Sequence, residues 1–86
     1  MIILFHRNFK KQFQKLKAGE KSKLKERLEL FLVDIFNPSL NNHPLKGKYA
    51  GYRSINISGD LRAIYKQNTK DAAIFVAVDS HNHLYQ

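Results

Sequence analysis

Cysteine is absent from this chain of 86 residues. Its absence removes disulfides and thiolate metal ligands, and it fits a reducing, cytoplasmic setting. Acidic residues are scarce: seven Asp and Glu stand against fifteen Lys and Arg, a formal net charge of +8. Apolar runs such as Met1–Phe5 and Leu30–Val33 fall far short of the roughly 20 residues that span a bilayer. No membrane association is expected from them. Nor is a secretory leader, because the opening apolar stretch is followed at once by His6 and Arg7. At this length a single domain over residues 1–86 is expected, with a thin core that buries roughly 60–65% of the unfolded surface.

The excess of positive charge lies mostly in the first thirty residues. A field of that sign favours polyanions, and RNA, DNA, an acidic partner or an anionic surface all remain open on charge alone. A lysine-rich helical face that only solubilises the protein is the plainer alternative.

Periodicity divides the chain into a helical half and a strand half. After an opening edge strand at 2–6, Asn8 reads as an N-cap, and Phe9, Phe13 and Leu16 recur at i, i+4 and i+7 up to Gly19, which reads as the close of this helix. A second helix begins near residues 20–23, carries Leu24, Leu28, Phe31, Leu32 and Ile35 on one stripe, and ends before Pro38. Residues 37–50, NPSLNNHPLKGKYA, read as a polar loop. Three strands follow: 51–58, with Ile55 and Ile57 on one face and Tyr52, Ser54 and Asn56 on the other, then 61–66, then 72–79, the most apolar. Turns are expected at 58–60 and 67–70. The fold class is therefore α+β, a two-layer β-α-α-β-β-β arrangement with both amphipathic helices on one face of a mainly antiparallel sheet and the other face partly open.

The hairpin stretch SGDLRAIY, residues 58–65, sets a carboxylate and a guanidinium beside a turn. An unpaired buried Arg62 costs several kcal/mol, so it should reach solvent, a carboxylate such as Asp60, or an anionic ligand. A surface ion pair with Asp60, worth at most about 1 kcal/mol, is the simplest of these.

The runs His43-Pro44-Leu45-Lys46-Gly47, Gly51-Tyr52-Arg53, Gly59-Asp60-Leu61-Arg62-Ala63-Ile64-Tyr65 and Ser80-His81-Asn82-His83-Leu84-Tyr85, taken in that order, resemble the RelE/ParE toxin superfamily. The resemblance is greatest to its YafQ-like and RelE/StbE-like members, and it covers nearly the whole chain. It implies the toxin of a type II toxin–antitoxin pair, a metal-free and cofactor-free endoribonuclease that cuts mRNA in the 30S decoding site of the ribosome. Its cognate antitoxin is the implied stable partner, wrapping the basic surface and covering the site. In that chemistry the ribose 2′-hydroxyl attacks the adjacent phosphate. His81 is the implied general acid or base, and Arg62 the clamp on the nonbridging oxygens. His43 matches the loop position where YafQ-like members place a catalytic histidine, and Asp60 matches an acidic position of the same site. Tyr85 matches a C-terminal aromatic suited to stacking a base. Arg53, Lys46 and Lys48 are candidates for the RNA backbone. The chain departs from the YafQ-like pattern at Asn56, where a histidine is usual, and at Leu61, often Trp. The other reading the superfamily allows is a non-catalytic, ParE-like inhibitor of DNA gyrase, or a plain basic RNA-binding module. Zinc at His81 and His83 is not expected, because two histidines at i and i+2 of a strand point to opposite sides and lack further ligands. Asn56-Ile57-Ser58 fits a glycosylation sequon but finds no secretory context.

Overall fold

The computed structural model describes residues 1–84. Its elements run β1 (Ile2–Phe5), α1 (Arg7–Gln14), α2 (Ala18–Val33), β2 (His43–Pro44), β3 (Arg53–Ser58), β4 (Leu61–Thr69), β5 (Ala72–Ser80) and α3 (His81–Leu84). The five strands form one sheet in the order β1-β5-β4-β3-β2. β1 lies parallel to β5, and the other pairings are antiparallel. This is the expected two-layer α+β arrangement, with a two-residue edge strand and a short terminal helix added.

The first helix starts earlier than expected. His6, not Asn8, is its N-cap: the ring Nδ1 accepts the Asn8 backbone N–H at 3.0 Å, satisfying one of the orphan donors of the first turn. Asn8 is thereby freed for another contact. β1 pairs only with residues 72–75 of β5, so the later part of β5 has no strand beside it on that edge. Asn8 Nδ2 donates to the Val76 carbonyl at 3.1 Å, and Gln12 Oε1 accepts the Val78 N–H at 2.9 Å. Residues four apart share a helix face, so one face of α1 hydrogen-bonds the strand edge in place of a sixth strand.

Gly19 does not close α1, which ends at Gln14. The Glu20 carboxylate accepts the Lys17 backbone N–H at 2.9 Å, which starts α2 at Ala18 and leaves Gly19 in its first turn. Leu24 and Phe31 of the expected stripe are buried, whereas Leu32 is half exposed. The loop at 37–50 is more ordered than its composition suggests: it holds two 3-10 turns, Pro38–Leu40 and Gly47–Tyr49, with β2 between them, and Leu40 is fully buried. β4 continues to Thr69, so the second turn is confined to residues 70–71.

The core lies between the helices and one face of the sheet. Phe31 meets Tyr65 and Phe75 edge-on, with ring centroids 4.9 and 5.3 Å apart, and Phe9 meets Phe75 at 5.9 Å. Such pairs add about 0.5–1.5 kcal/mol each beyond area burial. Ile55, Ile57, Leu61, Ala63 and Val78 complete this layer. The opposite face is not simply open. Leu84 packs there with Ile64 and Ala77, flanked by Leu45, Tyr49, Tyr52 and Val76, and this second small cluster seats α3 on the sheet. No helix among the described residues is long and apolar enough to cross a membrane.

Candidate active site

Alternation along the strands decides which side chains share the second face. Ile64 and Ala77 lie there, and side chains two residues away point the same way. Arg62 and Asp79, which are Cα partners across β4 and β5, therefore share it, as does Asn56, the partner of Arg62 on β3. One row across the sheet thus reads Asn56, Arg62, Asp79. Neighbouring strands stand about 5 Å apart, so Arg62 lies between an amide and a carboxylate at one strand spacing on each side.

The hairpin turn and the start of α3 close the same end of the sheet. The His81 backbone N–H donates to the Asp60 carbonyl at 2.7 Å, and Leu61 pairs with Ser80. Gly59 holds φ at +48° to make the turn, a region where a Cβ is costly. Asp60, Arg62 and His81, drawn from a turn, a strand and a helix start, are brought together by these backbone contacts. His81 lies on a helical turn, not on a strand as the sequence suggested, so His81 and His83 do not alternate between faces.

Asp60 does not pair with Arg62. The ion pairs among the described residues are Lys23–Glu26 and Asp79–His83. Arg62 Nη1 instead donates to the Gly59 and Leu61 carbonyls, at 2.8 and 3.2 Å. Anchoring one edge of the guanidinium to the turn fixes its plane, and a fixed planar fork suits a phosphate. The Asn56 amide oxygen is buried without a hydrogen-bond partner among the described residues.

His43 is a Cα partner of Ser54, itself a partner of Ile64. It therefore shares the second face but stands two strands and one row away from Arg62, at roughly 12 Å on the strand lattice. Its Nδ1 lies 2.7 Å from the Asn41 carbonyl. A carbonyl only accepts, so Nδ1 carries the hydrogen, and in the neutral ring Nε2 bears the lone pair. Arg53 lies apart from this group. It pairs with the core residue Tyr65 across the strands, donates from Nε to Asn42 Oδ1 at 2.7 Å, and stacks over Phe36 at 5.3 Å. Its charge orders the loop between α2 and β3. Lys46 leads into the second 3-10 turn, and Lys48 lies over the Tyr49 ring at 5.4 Å. Tyr85 lies outside the described residues.

Three residues not singled out from the sequence belong to this face. Lys66, two pairs beyond Arg62 along β4, lies over the Tyr52 ring at 5.6 Å, and the period-2 rule applied to positions 62, 64 and 66 would have found it. Asp79 and His83 are joined at 3.2 Å; only the helical turn at 81–84 brings them together, which sequence reading as a strand concealed. Beside them a polar cleft of about 410 Å³ sets Lys11 and Lys15 of α1 opposite Asp60 and Asp79. An apolar cleft of about 420 Å³ lies elsewhere, between α1 and α2 and lined by Phe9, Phe13, Leu24 and Leu28. No group of three or more His, Cys, Asp or Glu residues among the described residues is arranged to hold a metal ion.

A family model described as "Bacterial toxin of type II toxin-antitoxin system, YafQ" matches residues 1–86. Among solved structures, YafQ from E. coli strain BL21(DE3) is similar in fold, with a TM-score of 0.81 at 24% identity, over 98% of this chain and 97% of that one. A chain of the E. coli DinJ-YafQ toxin–antitoxin complex is similar at 26% identity and TM-score 0.75, over 98% and 96%. A copper-bound point mutant of a toxin from Helicobacter pylori is similar at 28% identity and TM-score 0.78, over 99% of both chains. None of the curated protein sequences matches.

Proposed function

This chain belongs to the YafQ family of bacterial toxins of type II toxin–antitoxin systems, and we propose that it acts as a ribosome-dependent endoribonuclease that cleaves mRNA without a metal ion. The observation that carries the reading is the junction at one end of β4 and β5, where the His81 N–H bonds to the Asp60 carbonyl and Arg62 stands one residue pair further in. An imidazole and a fixed guanidinium at one end of the sheet are groups suited to phosphoryl transfer from O5′ to a 2′-hydroxyl.

In the reaction, O2′ loses its proton and bonds to phosphorus, the P–O5′ bond breaks, and O5′ takes up a proton. The products are a 2′,3′-cyclic phosphate and a 5′-hydroxyl. Arg62 neutralises charge on the nonbridging oxygens, the kind of interaction that strengthens as the transition state forms. His81 transfers one of the two protons, the role imidazole most often fills in general acid–base catalysis. Asp60 borders the same point. Tyr85 would stack a base, and His43, Lys46, Lys48 and Lys66 extend the face along which the RNA backbone would lie. Arg53 acts on this reading by ordering the loop that carries His43 and Lys46.

Translated message supplied with wild type, His81→Ala and Arg62→Ala tests the proposal. Wild type should cut within codons on the ribosome, and each variant should lose roughly a hundredfold or more in rate with an unchanged circular dichroism spectrum. Full cleavage by either variant would refute the assignment. Supercoiling inhibition without RNA cleavage would select the gyrase reading.

A cognate antitoxin is the proposed partner. The E. coli complex joins DinJ with YafQ, and the net charge of +8 suits an acidic segment that wraps the basic face and covers Arg62 and His81. A complex in which RNA cleavage stays at the free-toxin rate would contradict this.

A further inference from the structure

Cleavage by a 2′-hydroxyl requires two proton transfers, and His81 performs one of them at a time. The other group must stand close to Arg62, because the attacking oxygen and the phosphorus it attacks are neighbours. His43 is too far across the sheet in this arrangement, and Asn56, which does stand beside Arg62, carries an amide that neither gives nor takes a proton near neutrality.

Asp79 is the other neighbour of Arg62, and it is tightly held. Its Oδ1 accepts the Ser80 backbone N–H at 2.8 Å and meets Nδ1 of His83 at 3.2 Å. Ser80 Oγ in turn accepts the His83 backbone N–H at 3.3 Å. A carboxylate is an acceptor only, so the shared hydrogen belongs to Nδ1 of His83, and in the neutral ring Nε2 keeps its lone pair. The side chain of His83 is 68% exposed, so that nitrogen is open to a bound molecule. A carboxylate that orients an imidazole through Nδ1 also stabilises the imidazolium that forms when Nε2 takes a proton. The charged groups around the pair are Arg62 from β4, Asp60 from the hairpin turn, His81 from its own helix and, across the cleft, Lys11 and Lys15 of α1 and Glu20 of α2.

Resting on the nuclease reading above, we infer that His83 is a catalytic base for the 2′-hydroxyl and that Asp79 is its positioning residue, with His81 acting as the acid. Nε2 of His83 takes the O2′ proton as the O2′–P bond forms, and imidazolium His81 gives its proton to O5′ as the P–O5′ bond breaks. Solvent then returns each ring to its starting state, so the net reaction neither gains nor loses a proton.

Single-turnover cleavage on translating ribosomes tests this with wild type, His83→Ala and Asp79→Asn. His83→Ala should be slower by about 10²–10⁴-fold with ribosome binding and thermal midpoint unchanged, and added imidazole should restore part of the rate. Asp79→Asn should be slower by about tenfold or more, and Asp79→Glu, which keeps a carboxylate, should recover part of the rate. Rescue by imidazole and by the conservative carboxylate are effects that a purely structural role would not produce. If wild type cuts RNA and His83→Ala cuts within threefold of it, the inference is overturned while the nuclease reading stands. If wild type cuts no RNA, both fall. If His83→Ala lowers the rate but its thermal midpoint also drops, His83→Gln, which keeps a polar side chain of similar size, should remain as slow at a temperature where it is folded; recovered activity in that variant would overturn the inference.

Discussion

Leu84 is the single buried residue of α3, and Leu84→Ala tests whether this contact places His81. A helix of four residues has no stability of its own, since isolated helices shorter than about 12–15 residues are marginal in water. α3 is therefore held by what it docks on. Leu84 is 4% exposed and packs against Ile64 and Ala77, and the substitution removes three carbons from that contact. At about 0.8 kcal/mol per buried CH₂ the transfer loss is about 2.4 kcal/mol. The main core, with Phe31, Tyr65 and Phe75, lies on the other face of the sheet, so the loss should fall on α3 and leave the rest folded. The hydrogen bond from His81 N–H to the Asp60 carbonyl would then open more often, by a factor of roughly fifty for about 2.4 kcal/mol. Native-state hydrogen exchange at the His81 amide reads that factor directly. RNA cleavage should fall by more than tenfold while the circular dichroism of the sheet is retained. An amide at His81 that stays within threefold of its wild-type protection would refute the claim that Leu84 docks α3 and fixes the site.

Asn42 ties the loop to the core, donating to the Ile35 carbonyl and Tyr65 Oη at 3.0 and 2.8 Å and accepting from Arg53 Nε; Asn42→Ala should lower stability by about 2–4 kcal/mol in urea unfolding, and a loss below about 0.5 kcal/mol would show the network to be replaceable by water. Gly59→Ala, at φ +48° with open space around it, should cost about 1–2 kcal/mol through backbone strain alone, and Gly59→Asn should cost less, both read as shifts in the urea midpoint. Lys66→Ala should weaken RNA binding nearly equally for all sequences and reduce the slope of log affinity against log salt by about one; an unchanged slope would remove Lys66 from the RNA track.

The fold was legible where one period ruled a long segment. Alternation in β3 placed Ile55 and Ile57 in the core and Ser54 and Asn56 opposite, as the register shows. The ends of the helices were not legible in the same way. Asn8 has the composition of a cap, yet His6 performs that role because Asn8 is used on the β5 edge, a contact 68 residues away in sequence. Gly19 looked like a terminator, but Glu20 had already set the start of the next helix. At the site, motif order pointed to Asp60, Arg62 and His81, and the backbone contacts bring them together. Read as a strand, the tail sends His81 and His83 to opposite sides; as a helical turn docked by Leu84, it sets His83 beside Asp79. That difference is tertiary, and no local pattern in SHNHL records it.

The site owes its position to the shortness of β1. Four residues of β1 cover only the first half of β5, and a longer first strand would have continued along residues 76–80. α1 instead leaves the sheet at His6 and crosses beside the exposed edge, where Asn8 and Gln12 satisfy Val76 and Val78. Side chains hydrogen-bond a strand edge at a greater distance than a neighbouring strand does, so space remains between helix and sheet. The polar cleft between Lys11, Lys15, Asp60 and Asp79 occupies that space. The same edge arrangement that prevents an open strand from recruiting another chain thereby leaves a charged hollow beside the hairpin turn that carries Asp60. A chain in which β1 were extended through residue 10 would close the hollow, but it would also take Phe9 off the helix from which it packs on Phe75, so the short strand serves the core as well as the cleft.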